Sequence, residues 1–360
     1  MGRETHRDAE FNACLWCVRV VMSEARVQDS TTGVDINPNM GRPRGPFHSP
    51  TSVEAIAEAM RLSLATASGL PISIVTCVPI EDESPDGRTM VYQTVWTEGP
   101  GRPPRRQRVV AHFAPDGQAQ RIHVVLRGLW RAGFDGRSGF AVPRPFANLP
   151  SLSCRLEAMV IGNSLADTDL EGTEHFVAHA EGAGRWLAHL HQSDVGGRLF
   201  GTRDERLSIE ASIARAIRLQ PSAAARLRVL GHGLSQRLRD DPKLVPTHGD
   251  FRAHQVFNAA GRVTVTGFER FALSESERDL GRFVAGGLVR VGQGRLSIAD
   301  ATILNHAMLA GYEANGGSGS LGRVGLWTAI ELLHLLVEHP SLFIRFQESW
   351  LAICERPLSL

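Results

Sequence analysis

Apolar and polar positions alternate along this chain in two regimes. In "SPTSVEAIAEAMRLSL" the residues Ala55, Ile56, Ala59, Met60 and Leu64 recur at helical spacing behind Ser52, a residue suited to an N-cap. Three β-rich stretches follow, "ISIVTCVPI" (72–80), "TMVYQTVWT" (89–97) and "RVVAHF" (108–113). Polar turns separate them, which predicts an antiparallel sheet. The spacing of Ile122, Val125, Leu126 and Leu129 predicts a helix over 119–134, and "CRLEAMVIG" (154–162) reads as a further strand. Beyond it the period is helical: 173–193, 203–219, 222–239, then 276–290, 297–314, 321–337 and 340–354. One hairpin interrupts this run, with strands over 255–258 and 262–268 and a turn at Ala259–Gly261. The pattern predicts an α+β protein with a small β-rich N-terminal lobe (51–162) and a larger, mainly helical C-terminal lobe (163–360). Residues 28–50 are rich in Gly, Pro and Asn without a period, so 1–50 reads as a partly disordered extension or linker.

Composition narrows the function classes. The formal net charge of +1 argues against a nucleic-acid partner or an anionic membrane surface. No window approaches the roughly 18 consecutive apolar residues of a membrane span, and the charged start "MGRETHRDAE" is no signal peptide. The five cysteines are odd in number and scattered, which fits a reducing cytoplasm rather than a disulfide scaffold. Cys14 and Cys17 form a C-x-x-C pair, yet no second pair or nearby His completes a zinc site. Of 39 basic residues only Lys243 is lysine, so chemistry that needs a lysine has one candidate.

The hairpin region carries the chemistry: "THGDFRAHQVFNAAGRVTVTGFERF" (247–271). Transfer of a phosphoryl group from ATP needs a carboxylate to orient the accepting hydroxyl. It also needs oxygen ligands for Mg²⁺ and a cation on the phosphates. His248, Asp250 and Gln255 stand at the spacing of a loop H-x-D-x-x-x-x-N, with the asparagine replaced by another amide. A hairpin after that loop returns residues 267–269 toward Asp250, and "ERDLGRF" (277–283) follows.

In this order the motifs resemble those of the aminoglycoside phosphotransferase/choline kinase-like family, whose fold is protein-kinase-like. The resemblance extends over roughly 53–355 and includes "FAPDGQAQRIHVVLRGLWRAGF" (113–134), "VPRPFA" (142–147), "GRWLAHLHQS" (184–193) and "MLAGYEANGG" (308–317). It implies Asp250 as catalytic base, His248 as the loop histidine, Gln255 as a metal ligand and Asp279 as an acid that ties down the loop. It also implies ATP and Mg²⁺ as cofactors.

Three positions depart from the family pattern. The metal-binding acid that opens its Asp-Phe-Asp or Asp-Trp-Glu triplet is replaced here by Gly267, in Gly267-Phe268-Glu269. Glu269 shares a strand face with Gly267 and is the substitute metal ligand. The phosphate-anchoring lysine of the third strand falls at Ala111, and Arg88 and Arg108 are the substitute cations. Arginine is a planar fork rather than a point charge, so the exchange is not conservative. The loop "PIEDESPDGR" (79–88) places Glu81, Asp82, Glu83 and Asp86 where phosphates would approach. Two readings follow: a pseudokinase that binds a small molecule or a protein partner, or an active Mg-ATP kinase for a small-molecule hydroxyl. A chance H-G-D in an unrelated fold is the third. Among other features, His175 and His179 are spaced i, i+4 but lack the Glu of H-E-x-x-H and read as surface or cleft histidines. "GRPPRRQR" (101–108) reads as a solvated turn, and Trp130, Trp186 and Trp327 as core.

Overall fold

The computed structural model describes residues 50–355 apart from 83–87, 100, 115–116, 168–172, 260 and 318. The expectations for 1–49, the Cys14/Cys17 pair included, and for most of the acidic loop lie outside the described residues. The described chain forms two compact units, 50–162 with Ala259–Glu269, and Asn163–Asn258 with 270–355.

The first unit opens with helix α1 (Pro50–Ser68) and strands β1 (Ser73–Asp82), β2 (Thr89–Thr97) and β3 (Arg105–Phe113). Helix α2 (Gln118–Arg131) follows, then β4 (Phe140–Ala141), β5 (Pro145–Leu149) and β6 (Cys154–Ala158). The sheet runs β1-β2-β3-β6-β5, and each neighbouring pair is antiparallel. Strand β3 starts at Arg105, so the second half of the arginine-rich stretch is sheet rather than turn. Side chains alternate across the sheet, and its two faces differ. Val109, Ala111, Phe113, Tyr92 and Leu156 pack with Ile56 and Met60 of α1 in one apolar core. Val110, His112, Arg155 and Glu157 lie on the opposite face, in the register Val110↔Glu157 and His112↔Arg155.

The second unit contains β7 (Asn163–Ser164), helices α3 (Thr173–His191), α4 (Thr202–Leu219) and α5 (Ala224–Gln236), then β8 (Val245–Thr247) and β9 (Val256–Ala259), of which β7 and β9 pair. The chain then returns to the first unit as β10 (Arg262–Val265), parallel to β4. It ends in the second unit with β11 (Ala272–Ser274) and helices α6 (Ser276–Gly292), α7 (Ile298–Ala314), α8 (Leu321–Glu338) and α9 (Pro340–Glu355). The core of this unit gathers Ile209, Leu230, Leu288, Ile330, Phe343 and Trp350 from α4, α5, α6, α8 and α9. Trp186 and Trp327 are buried as expected, whereas Trp130 is half-buried.

Two elements differ from their predicted form. The strand expected over 262–268 stops at Val265. Gly267 has φ 84, a left-handed conformation that costs a side chain roughly 1–2 kcal/mol, and Phe268–Arg270 form a 3-10 turn. Gly267 and Glu269 therefore do not share a strand face. His179 is buried while His175 is exposed, so His179 is neither a surface nor a cleft residue. Burial lowers its imidazole to about 4.

Candidate active site

The loop after β8 is built by short backbone connections. Strand β8 pairs antiparallel with β11, and the Thr247 hydroxyl donates to the Ala272 carbonyl at 2.9 Å. The chain then turns at Gly249, with φ 77. A Cβ there would meet the Arg270 carbonyl oxygen at 2.1 Å, so only glycine fits both the backbone conformation and the space.

Asp279, in the first turn of α6, is fully buried and holds this turn. Its carboxylate accepts the His248 N–H at 2.6 Å and the Gly249 N–H at 2.7 Å. His191 Nε2 lies 3.1 Å from the same carboxylate, and its Nδ1 lies 2.8 Å from the Tyr312 hydroxyl. The tie-down implied for Asp279 by the family resemblance is thus a set of direct charge-assisted hydrogen bonds. His248 is itself fully buried. Its Nδ1 accepts the Asp250 N–H at 3.2 Å, and its ring packs edge-on to Phe251. Its contacts are those of a loop support.

Asp250 does not present a free carboxylate. Oδ2 takes Arg252 Nη2 at 2.6 Å, and Oδ1 takes Arg282 Nε at 2.8 Å and Nη2 at 2.7 Å. Burial pushes the carboxyl up, but Arg282 and Arg252 outweigh it and hold it below its ordinary value. Arg282 is 1% exposed and also pairs Glu331 at 3.0 Å. Glu331, Arg278, Glu205 and His334 extend the network among α4, α6 and α8. The junction depends on Gly281: a Cβ there would meet the Trp327 and Thr328 backbone at 2.5–2.6 Å. Helices α6 and α8 therefore touch, and Arg282 meets Glu331 one turn further along α8. Burial opposes the Glu331 charge, yet His334, Arg282 and Arg278 keep its carboxyl far below its usual range. Glu205 goes the other way, raised mainly by burial.

Gln255 ends a 3-10 turn over Ala253–Gln255, and its backbone N–H donates to the Arg252 carbonyl. In the first unit, Glu269 is already engaged with Arg155 at 2.9 Å. Arg155, 4% exposed, also pairs Glu157 at 3.2 Å, and Glu157 meets His112 Nε2 at 2.9 Å. Burial would raise the Glu157 carboxyl, but His112 and Arg155 bring it down to about 2. The buried His123 of α2 is lowered to about 4, mainly by burial, and feels both Glu157 and Arg155. On β3, Ala111 points into the α1 core with no exposure, and His112 lies on the opposite face. Ala111, the position assigned to the family lysine, is a core residue, and its neighbour His112 meets Glu157. Arg88 and Arg108 are both exposed.

In the first unit Gly267 offers no side-chain oxygen, and one oxygen of the half-exposed Glu269 carboxylate pairs the buried Arg155. Among the described residues no group of three or more His, Cys, Asp or Glu could hold a metal ion. Arg252, Arg282, Arg155 and His112 are the residues that sequence reasoning missed. Arg282 had a signal: it stands three residues after Asp279 in "ERDLGRF", on the same helix face.

No family model and no curated protein matches the chain. Solved structures do. One is a spectinomycin phosphotransferase in complex with ADP and spectinomycin, 15% identical, with a TM-score of 0.52 over 87% of this chain and 100% of that one. Another is a choline kinase from Cryptosporidium parvum Iowa II, 13% identical, with a TM-score of 0.51 over 85% and 94% of the two chains. The expected fold class is the observed one: this chain has the α+β, protein-kinase-like fold of the aminoglycoside phosphotransferases and choline kinases.

Proposed function

We propose that this chain is a phosphotransferase-fold pseudokinase, which acts by binding a small molecule or a protein rather than by Mg-ATP-dependent phosphoryl transfer. One observation carries the reading: both oxygens of Asp250 are bound by arginines, one of them buried. The three guanidinium contacts take three of the roughly four acceptor positions of the carboxylate and hold it below its ordinary basicity, which weakens it as the acceptor of a hydroxyl proton. Release from Arg282 would leave two buried charges partly unpaired, at a cost of several kcal/mol. The engagement of Glu269 with Arg155 supports the same reading, as does the glycine at position 267. One structural relative, the spectinomycin phosphotransferase, was solved with ADP and with AMP, and nucleotide binding without a metal is part of the proposal. A cytoplasmic location is supported by the buried, free thiols of Cys77, Cys154 and Cys354.

The test is ATP consumption by wild type and Asp250→Asn, alongside thermal melts with ATP and Mg²⁺, with ATP and EDTA, and without nucleotide. The expected result is no Asp250-dependent turnover and no shift that requires Mg²⁺. Consumption of ATP that falls a hundredfold or more in Asp250→Asn would establish the active kinase instead, since a positioned base contributes roughly 10²–10⁴-fold.

A further inference from the structure

A cleft of about 590 Å³ opens in the first unit between α1, α2 and β5. Its volume is in the range of small-molecule sites. Leu62, Trp130 and Phe146 supply its apolar lining, and Leu62 is 52% exposed although it belongs to a well-formed helix. Arg127 and Arg144 also line it, and neither has an ion-pair partner among the described residues. The Arg144 guanidinium lies over the Phe146 ring, 5.2 Å from its centroid. Burial lowers Arg144 below its ordinary value, with no carboxylate to offset that cost.

A second cleft of about 360 Å³ meets the first at Ala67 and Arg144. Trp96 lines it, 7% exposed, with an indole N–H that has no hydrogen-bond partner. In the first cleft Asn148 Oδ1 is likewise buried and unpartnered. The two carboxylates of these clefts are occupied: Glu58 pairs Arg61, and Glu98 pairs Arg105. What remains is positive charge, unused polar groups and an aromatic floor.

We propose that this cleft binds a small organic anion, a flat apolar body carrying one carboxylate or phosphate, with its charged group on Arg144 and Arg127. The charge balance selects an anion, because every acid at the site already has a partner and two arginines do not. The aromatic and leucine lining selects a flat apolar body over a bare inorganic ion. Arginine serves both halves, since its guanidinium pairs oxyanions through two N–H groups while its face stacks on a ring. The site does not depend on the loop around Asp250, so it stands whether or not the chain transfers phosphoryl groups.

The test is calorimetric titration of the full chain with 2-naphthoate, 2-naphthyl phosphate and the uncharged 2-naphthalenemethanol. The expected result is one saturable site for at least one of the two acids, and at least tenfold weaker binding of the alcohol. The stronger acid identifies carboxylate or phosphate as the natural group. Arg144→Gln should weaken the acids about tenfold, as loss of one charge-assisted contact does, and leave the alcohol unchanged. Ala67→Trp, at an exposed position shared by both clefts, should abolish binding while the thermal midpoint stays near wild type. The proposal is overturned if neither acid saturates the chain at millimolar concentration. Equal affinity for acid and alcohol, or acid binding indifferent to both variants, also overturns it. A dimer in sedimentation that Ala67→Trp dissolves would assign the cleft to a second copy of this chain.

Discussion

Each unit holds a cluster of acids and arginines, and the two clusters are built differently. In the second unit Asp250, Arg282, Glu331, Arg278 and Glu205 connect a loop to three helices, and most of these side chains are fully buried. In the first unit Glu157, Arg155, His112 and Glu269 lie on one face of a strand pair and the turn after β10. Glu269 is 43% exposed there. The first arrangement holds several elements in register, and removal of any member strands a buried charge. The second fastens one turn to one sheet, and its outer pair is screened by water. Each cluster contains one acid singled out by the sequence, Asp250 in one and Glu269 in the other, and each is a partner in an ion pair.

The contrast is open to direct attack. The largest effect is expected in the second unit, from Arg282→Met. It leaves Asp250 with Arg252 alone and removes one cation from Glu331, so urea unfolding should lose about 3–5 kcal/mol. Arg155→Met, its counterpart in the first unit, should cost less, and an equal loss would erase the distinction drawn above. Asp279→Ala removes the acceptor of two loop N–H groups and should cost about 3 kcal/mol or more. Hydrogen exchange should show the protection of His248 and Gly249 lost first.

Glu157 gives the contrast a pH signature. Its folded-state carboxyl stands at about 2 against an ordinary 4.5. A depressed acid stabilises the folded state above its unfolded value, and that contribution is lost as pH falls from about 5 toward 2. At about 1.4 kcal/mol per tenfold change the contribution at neutral pH is about 3 kcal/mol. Glu157→Gln should flatten the acid dependence of amide protection in β3 and β6, while the wild type loses protection there over that range. Unchanged acid dependence in the variant would remove Glu157 from its assigned role.

The smallest effects separate two glycines with the same backbone. Gly249 and Gly261 have φ 77 and 75, but a Cβ at 261 meets nothing within 4 Å while one at 249 meets the Arg270 carbonyl. Gly261→Ala should cost about 1 kcal/mol, the conformational penalty alone. Gly249→Ala should cost clearly more in the same denaturation series, because backbone must move to admit the methyl group. Equal costs would mean that the loop yields freely.

Much of this was legible in the sequence. Helical spacing of apolar residues located α1 to α9 to within a few residues, because a buried face must recur every 3.6 positions whatever it packs against. Strands β1, β2, β3 and β6 were legible from their apolar, β-rich runs between polar turns, whereas the short β4 and β5 were not. The H-G-D loop and "ERDLGRF" were visible as motifs, and so was the missing acid at Gly267. Periodicity describes one element at a time, however, and an ion pair joins elements that are distant in the chain. That Asp250 meets Arg282, 32 residues on, and that Glu269 meets Arg155, 114 residues back, is set by how helices and strands pack. The same holds for β3, where sequence cannot say which face turns to α1. Only the packed sheet put Ala111 in the core and His112 against an acid. The sequence by itself determined the helices, the longer strands, their order and the residue types at the loop. The tertiary structure decided which charges are spent on one another, because pairing energy depends on distance and burial, and neither is a property of a linear pattern.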